Sequence, residues 1–303
     1  MNNISSDSQS SLLELSHLDH LWFQVAGTLC NLTCHHCFIR CSPHNDSFGF
    51  LKLEEVKERL EESVKLGVKE YYFTGGEPFL NRDMTAILIE TLLYGPATVL
   101  TNGTVLKDDW LLSLAEAEQA SKYSLEFRVS IDGFSAESND PIRGTGTFQR
   151  ALRGIVQLVN HGFLPIITAA RTWPDTEEEQ IVGQFVTMLK NSGYGRPRLK
   201  ILPALQMGAE QDRTHGYRDS ERITQALMED YDTSQLVCEH SRIVTDRGVY
   251  VCPILIDSND ARLGETLADA DRPFALKHGA CFTCYQYGAI CSNASGNSAN
   301  AAR

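Results

Sequence analysis

Short apolar segments alternate with helix-like segments through the first two thirds of this 303-residue chain. Six segments are typical of strands: LWFQVAG, VKEYYFTGG, ATVLTNG, SLEFRVSIDG, FLPIITAA and RLKILPAL. Between them lie apolar residues at helical spacing, such as Val56 and Leu60 in the helix that Gly67 ends. Such alternation implies a parallel sheet with right-handed crossovers. Six repeats therefore predict an α/β fold, either an open doubly wound sheet or a partial (β/α)6 TIM-like barrel.

Charge and hydropathy exclude two kinds of partner. The formal net charge is −12, and the Lys and Arg residues are scattered, so nucleic acid is not an expected partner. No segment approaches the roughly 18 uninterrupted apolar residues of a membrane span. The N-terminal segment MNNISSDSQSS also lacks a signal-peptide pattern. These features predict a cytoplasmic protein that does not contact a membrane.

The nine cysteines fall into two groups. Four lie between Cys30 and Cys41, five lie between Cys238 and Cys291, and the two hundred residues between the groups contain none. In a reducing compartment, cysteines are more often metal ligands than disulfide partners. The distribution therefore predicts two metal sites joined by a metal-free scaffold.

The segment CNLTCHHC places Cys30, Cys34 and Cys37 in one loop directly after the first predicted strand. In a parallel α/β fold, the loops that follow the strands build the functional site. Three thiolates leave one coordination position for another ligand. This arrangement fits an iron–sulfur cluster with one open iron. It also fits a Cys3His zinc site that uses His35 or His36, which would make the chain a zinc-binding module without catalytic activity.

This motif, placed after the first strand of a six-fold β/α chain, resembles the radical S-adenosylmethionine (radical SAM) superfamily. The resemblance covers roughly residues 21–205. It implies that the three cysteines hold a 4Fe–4S cluster whose open iron chelates the methionine end of SAM. It also implies that one electron from this cluster cleaves SAM and releases a 5′-deoxyadenosyl radical. A cellular reductant such as flavodoxin or ferredoxin would supply that electron.

Further stretches agree with this family. The segment GGEP looks like its methionine-binding turn, which implies SAM contacts for Gly75, Gly76 and Glu77. The segments TNG and SIDG match the ends of its third and fourth strands, which implies contacts for Asn102 and Ser130.

Two more SAM contacts follow from the resemblance. The segment DPIRGTGTF is similar to the turn after the fourth strand, where Arg143 would pair with the SAM carboxylate. His36 occupies the position that commonly holds an aromatic residue near the SAM adenine. Cys41 is interpreted as a bystander thiol.

The second cysteine group has the pattern C-x9-G-x3-C followed later by C-x2-C. The segment RIVTDRGVYVCP predicts a β-hairpin that delivers Cys252. Spacing alone fits zinc or iron–sulfur about equally. The group resembles the auxiliary-cluster region of radical SAM proteins of the SPASM and twitch type, although one spacing is a residue short. The resemblance implies one auxiliary 4Fe–4S cluster on Cys238, Cys252, Cys281 and Cys284, with Cys291 spare or replacing one of them.

These interpretations divide the chain into five parts. They are an N-terminal extension (1–20), a radical SAM partial barrel (21–205), a bridging region (206–235), a small cysteine-rich twitch/SPASM-like domain (236–291) and a flexible tail (292–303).

The resemblance implies hydrogen abstraction from a substrate, with the auxiliary cluster as acceptor of the second electron. The expected outcome is oxidation or radical bond formation on a small molecule, with Arg171 as candidate proton acceptor at the end of the fifth strand. A peptide-modifying enzyme is the alternative. Only about twenty residues precede the first strand, so a leader-binding domain is not expected.

Overall fold

The computed structural model describes residues 11–288, 290 and 291, so the predicted flexible tail lies outside the described residues. The strands in chain order are β1 (Leu12–Leu13), β2 (His20–Gln24), β3 (Glu70–Thr74), β4 (Ala97–Thr101), β5 (Leu125–Ser130), β6 (Ile166–Ala170), β7 (Arg198–Leu202), β8 (Ser241–Thr245), β9 (Gly248–Tyr250), β10 (Arg262–Gly264) and β11 (Phe274–Ala275). The helices are α1 (Leu53–Leu66), α2 (Met84–Thr91), α3 (Asp108–Ala120), α4 (Ala136–Arg143), α5 (Thr147–Asn160), α6 (Glu178–Asn191), α7 (Ala209–Thr214), α8 (Gln225–Met228) and α9 (Gly279–Tyr287).

Nine of these strands form one sheet in the order β10-β9-β8-β2-β3-β4-β5-β6-β7. The strands β2 to β7 pair in parallel and in sequence order, which confirms the six predicted repeats and the partial barrel. On β2, Trp22 and Gln24 line the barrel cavity, while Leu21 and Phe23 are buried on the other face. Phe23 stacks on Phe73 of β3 with ring centroids 5.3 Å apart. Because side chains alternate along a strand, one set forms the cavity wall and the other packs against the helices.

Helix α4 is an element that the sequence patterns did not predict. The segment from residue 140 to residue 148 was expected to be a turn, but Asp140–Arg143 forms the end of this helix. The Ser135 backbone N–H donates to Ser138 Oγ (3.2 Å), which stabilises the start of the helix. Pro141 lies inside the helix, where it removes one backbone donor. This proline and the neighbouring glycines conceal the helix from pattern-based prediction.

The predicted hairpin of the C-terminal region is present as β8 and β9. Its first strand pairs in parallel with β2, from His20 opposite Ser241 to Phe23 opposite Val244. The cysteine-rich region therefore continues the barrel sheet. In addition, β1 in the predicted N-terminal extension pairs with β11. The residue ranges assigned to the domains stay a prediction.

Within the part of the chain that the structure describes, no helix has the length and apolar character needed to cross a membrane.

Candidate functional site

A cavity with a volume of about 260 Å3 opens at the carboxyl ends of the barrel strands. Its wall includes the three cysteines of the first loop together with Cys41. The predicted SAM contacts Gly75, Gly76, Asn102, Ser130, Arg143 and His36 also line it. The fold thus brings to one place residues that are spread over more than a hundred positions of the sequence.

Backbone hydrogen bonds hold the cysteine loop across the mouth of the barrel. The Cys30 N–H donates to the Ser42 carbonyl (3.1 Å), and the Cys37 N–H donates to the Cys34 carbonyl (3.2 Å). The His35 N–H donates to the carbonyl of Ile142 at the end of α4 (2.9 Å). These bonds fix the three thiol-bearing residues relative to the barrel.

Two backbone N–H groups of the loop point at cysteine sulfurs. Leu32 donates to Cys30 Sγ (3.4 Å), and Cys41 donates to Cys37 Sγ (3.2 Å). Hydrogen bonds to sulfur stabilise thiolates and tune the potential of an iron–sulfur cluster. The surroundings of the three cysteines therefore fit such a cluster.

The thiols of the loop differ in acidity. Burial raises the pKa of Cys30 to about 12 and also raises the pKa of Cys34. A hydrogen bond from the Cys41 thiol lowers the pKa of Cys37 to about 6. Cys41, expected to be a bystander, thus contacts a predicted ligand through both its thiol and its backbone.

The GGEP turn approaches the cysteine loop through its backbone. The Gly76 N–H donates to the Gly27 carbonyl (3.0 Å), and the Glu77 N–H donates to the Leu29 carbonyl (3.1 Å). The Glu77 carboxylate is buried and accepts hydrogen bonds from Thr101 Oγ1 and the Asn102 N–H, both at 2.7 Å. Burial raises the pKa of Glu77. The glycines line the cavity, while the Glu77 side chain joins the ends of β3 and β4 behind its wall.

We expect replacement of Gly76 with Ala to destabilise the chain and to displace the cysteine loop. An added Cβ would lie 2.0 Å from the Leu29 carbonyl oxygen and 2.8 Å from the Cys30 nitrogen, and neither backbone atom moves freely. Such overpacking costs about 3 kcal/mol in the free energy of unfolding, which denaturant titration measures. Gly183→Ala, inside α6 with no atom within 4 Å of the new Cβ, is the matched control and should gain about 0.5–1 kcal/mol. Equal stabilities of the two variants would contradict the close approach.

Asp132 joins the cysteine loop to the ends of α4 and β6. Its Oδ2 accepts from Arg143 Nε and lies 2.7 Å from His36 Nε2, and its Oδ1 accepts from the Ala170 N–H (2.7 Å). Burial opposes ionisation of Asp132, but Arg143 and His36 outweigh it and lower the pKa of this carboxyl. Asp132 therefore carries a negative charge that orients two predicted SAM contacts.

Of the other predicted site residues, Asn102 lies beside the cysteine loop, whereas Arg171 lies outside the cavity wall. Asn102 Nδ2 donates to the side chain of Asn31 (2.9 Å) and lies 3.8 Å from Cys30 Sγ. Arg171 does not line the cavity, since its guanidinium binds Asp175 (2.7 Å) and the Tyr287 hydroxyl (3.0 Å). Its predicted role as proton acceptor stays a prediction, and its position does not bring it to the other site residues.

The four cysteines predicted to bind the auxiliary cluster line a second, mostly apolar cavity. Cys281 and Cys284 lie three residues apart on α9, and Cys252 follows the β8–β9 hairpin. Cys238 precedes β8, and its carbonyl accepts a hydrogen bond from Arg242 (2.7 Å). Residues from three separate segments therefore meet at one place, as a cluster with four cysteine ligands requires.

The described residues hold no preformed site for a single metal ion. Among residues 11–288, 290 and 291, no three His, Cys, Asp or Glu side chains come close enough to hold one metal ion. A zinc ion draws its ligands to a single point, whereas a 4Fe–4S cluster spreads four cysteines over four irons. Both cavities are lined by several cysteines, the residue type that a 4Fe–4S cluster takes as ligands.

Cys291 does not line the second cavity, although it is near enough to Cys252 and Cys284 to interact with them electrostatically. Together with Ile290 it lines the barrel cavity, and its carbonyl accepts a hydrogen bond from Arg128 Nη1 (2.5 Å). Arg128, on β5, is a cavity residue that no sequence motif indicated. Only the period-two alternation along β5 could have placed it, since it lies two residues before Ser130 on the same face.

A partial (β/α)6 barrel whose first loop carries C-x3-C-x2-C at the cavity mouth defines a class of cluster-binding barrel proteins. The chain belongs to the radical SAM superfamily, whose family profile it matches over residues 25–182. Membership implies a 4Fe–4S cluster and SAM as cofactors. The donors around the cysteine loop fit these cofactors, and the buried Nδ1 of His36, which has no partner among the described residues, faces a site that a polar ligand can complete.

Two curated relatives each match less than half of this chain. The antilisterial bacteriocin subtilosin biosynthesis protein AlbA of Bacillus subtilis (strain 168) is 30% identical over 145 residues, which are 47% of this chain and 31% of that protein. The mycofactocin maturase MftC of Mycobacterium tuberculosis (strain ATCC 25618 / H37Rv) is 33% identical over 135 residues, or 44% of this chain and 33% of the relative. The chain therefore spans about a third of the length of these relatives.

Solved structures show the same fold at low sequence identity. SuiB of Streptococcus suis, bound to the precursor peptide SuiA, aligns with a TM-score of 0.62 and 14% identity over 85% of this chain and 64% of that chain. The protein anSMEcpe with bound AdoMet aligns with a TM-score of 0.61 and 17% identity over 84% of this chain and 77% of that chain.

Proposed function

We propose that this radical SAM enzyme modifies a peptide, and that it does so by hydrogen abstraction followed by a one-electron oxidation. The observation that carries the proposal is the pair of cysteine-lined cavities, one at the barrel mouth and one beneath the β8–β9 hairpin. When bound, the cluster and SAM supply a 5′-deoxyadenosyl radical that removes one hydrogen atom from the substrate.

Cys30, Cys34 and Cys37 hold the first cluster in this proposal. The backbone of Gly75 and Gly76 bounds the SAM site on the β3 side. His36 and Arg143, which Asp132 orients, bound it on the β5 side. Since the Arg143 side chain is largely buried and charged, it suits a carboxylate such as that of SAM.

The second group of four cysteines would hold an auxiliary 4Fe–4S cluster that accepts an electron. With all four ligands supplied by protein, such a cluster has no open iron for substrate, which favours electron transfer over substrate binding. The pocket is lined mainly by apolar side chains, including Leu255 and Phe274, which would exclude water from the cluster.

The names of three relatives favour a peptide over the small molecule that the sequence alone suggested, whereas an AdoMet-dependent heme synthase and a probable GTP 3′,8-cyclase favour the small molecule. AlbA is a bacteriocin biosynthesis protein, MftC is a maturase, and SuiB was solved with a precursor peptide. A small-molecule oxidation remains the second candidate, since the cavity has a volume of only about 260 Å3.

The test is anaerobic reconstitution with iron and sulfide, followed by a strong reductant and SAM. We expect about eight irons per chain and slow release of 5′-deoxyadenosine even without substrate. A colourless protein that binds zinc and leaves SAM intact would favour the non-enzymatic module instead. The peptide substrate is then sought among peptides encoded beside this gene, with 5′-deoxyadenosine release as the signal.

A further inference from the structure

Arg128 is a buried guanidinium inside the barrel that none of the proposed SAM or cluster contacts uses. It is 1% exposed and lines the same cavity as the cysteine loop. Its Nη1 donates to the Cys291 carbonyl, which shows that the guanidinium is directed into the cavity. Its Nε is buried and has no hydrogen-bond partner among the described residues. A buried polar atom without a partner is rare in native proteins and calls for a ligand.

The charge of Arg128 is not balanced by a carboxylate of the described chain. Among the described residues that line the cavity, Asp132 is the one acidic residue. Its carboxylate binds Arg143 and His36. Glu126, also on β5, pairs with Arg198 (2.6 Å). The Cys291 carbonyl is neutral and leaves the positive charge in place. An unpaired charge removed from water costs several kcal/mol, so the site favours an anion.

A second basic group reinforces this preference. Lys200 on β7 has its pKa lowered to about 8 by burial and by the nearby charge of Arg128. Lys200 is not among the residues that line the cavity, so it adds to the positive potential around Arg128 without bounding the ligand site.

The wall on the β2 side also offers unpartnered polar atoms. Trp22 Nε1 and Gln24 Oε1 are buried without hydrogen-bond partners among the described residues, and both side chains line the cavity. One is a donor and the other an acceptor. The cavity is therefore suited to a ligand that has polar groups on more than one side.

We propose that Arg128 binds a carboxylate of the substrate, so that the substrate is an amino acid derivative or a peptide whose carboxylate enters the barrel. This inference rests on the proposed function and deepens it by naming the substrate group. Ser130 ends β5 at the cavity mouth, and Arg128 lies about 6.6 Å deeper along the strand. A carboxylate held there leaves the rest of the substrate directed towards the SAM site.

A carboxylate fits this place better than a phosphate. The planar fork of a guanidinium matches the two oxygens of a carboxylate. Phosphate sites are usually built from backbone N–H groups at helix N-termini or nests, whereas the backbone of β5 at Arg128 is paired with β4 and β6.

The test measures binding to the reconstituted, SAM-loaded protein by calorimetry. The probes are N-acetylalanine, its neutral C-terminal amide, and inorganic phosphate. We expect the wild type to bind N-acetylalanine at least about tenfold more tightly than the amide or phosphate, as a charge-assisted hydrogen bond implies. Arg128→Gln should abolish this preference, and Arg128→Lys should keep part of it. Arg198→Gln, at the exposed end of the barrel, is the matched control and should bind like the wild type.

Several results would overturn the inference. In the wild type, these results are equal binding of N-acetylalanine and its amide, or tighter binding of phosphate than of N-acetylalanine. In Arg128→Gln, they are an undiminished preference for N-acetylalanine over its amide, or a loss of SAM affinity as large as the loss of N-acetylalanine affinity. If Arg128→Gln fails to fold, the test rests on the binding of the three probes by the wild type and by Arg128→Lys. Release of 5′-deoxyadenosine by the wild type is measured separately, so that a failure of the proposed function is distinguished from a failure of the carboxylate site.

Discussion

Replacing Cys30, Cys34 and Cys37 together with Ala is expected to abolish SAM cleavage and to lower the iron content from about eight to about four per chain. The three thiols line one cavity, and two of their sulfurs accept backbone N–H hydrogen bonds. Without them, no other group at the barrel mouth would provide three thiolates. Iron and sulfide analysis together with chromatography of 5′-deoxyadenosine gives both readouts.

The matched control for this triple variant is Cys41→Ala. Its backbone N–H to Cys37 Sγ remains, while the hydrogen bond from its thiol is lost. We expect it to keep the iron content and the SAM cleavage, with a shifted potential of the first cluster. A triple variant that still cleaves SAM would show that these cysteines do not hold the cluster.

Replacing Cys281 and Cys284 with Ala should remove about four irons and leave 5′-deoxyadenosine release intact. Both residues lie on α9 and face the second cavity, away from the SAM site. With the substrate present, the yield of oxidised product per 5′-deoxyadenosine should fall at least about tenfold, since the substrate radical has lost its electron acceptor. Product analysis by mass spectrometry measures this ratio.

Cys291→Ser is the control for the second cavity. Cys291 interacts with Cys252 and Cys284, but four other cysteines line the second cavity, so its loss should leave about eight irons in place. A drop to about four irons in this variant would make Cys291 a ligand. Unchanged iron in Cys281→Ala/Cys284→Ala would contradict the auxiliary cluster itself.

The strands and most helices of the barrel could be predicted because each carries its own local periodicity. Val56 and Leu60 are buried at the spacing that predicted α1, and the buried Phe73 lies in a strand that was predicted from its apolar run. The cysteine groups were predictable for another reason, since thiol spacing within one loop is a local property. Helix α4 was missed because Pro141 and the nearby glycines imitate a turn.

The parts of the site that escaped prediction depend on contacts between distant strands. Nothing near Arg128 in the sequence indicates that its guanidinium meets the Cys291 carbonyl, 163 residues further along. Likewise, Asp132 can orient Arg143 and His36 only because α4 places Arg143 beside it and the first loop places His36 beside it. Arg171 was predicted from its position at the end of a strand, but Asp175 and Tyr287 hold it outside the cavity wall. Such pairings follow from the closure of the barrel, which no local pattern encodes.

The parallel pairing of β8 with β2 has a consequence for the order in which the chain folds. His20 and Ser241 face each other across more than two hundred residues, so one edge of the first barrel strand stays unpaired until the last quarter of the chain has been synthesised. Contacts of such high sequence separation slow folding, and an open strand edge invites pairing with other chains. During translation, β2 is therefore the strand at which the nascent chain is most exposed to aggregation. The cysteine pocket needs Cys252, Cys281 and Cys284, so it cannot be completed until residues beyond β8 have been synthesised.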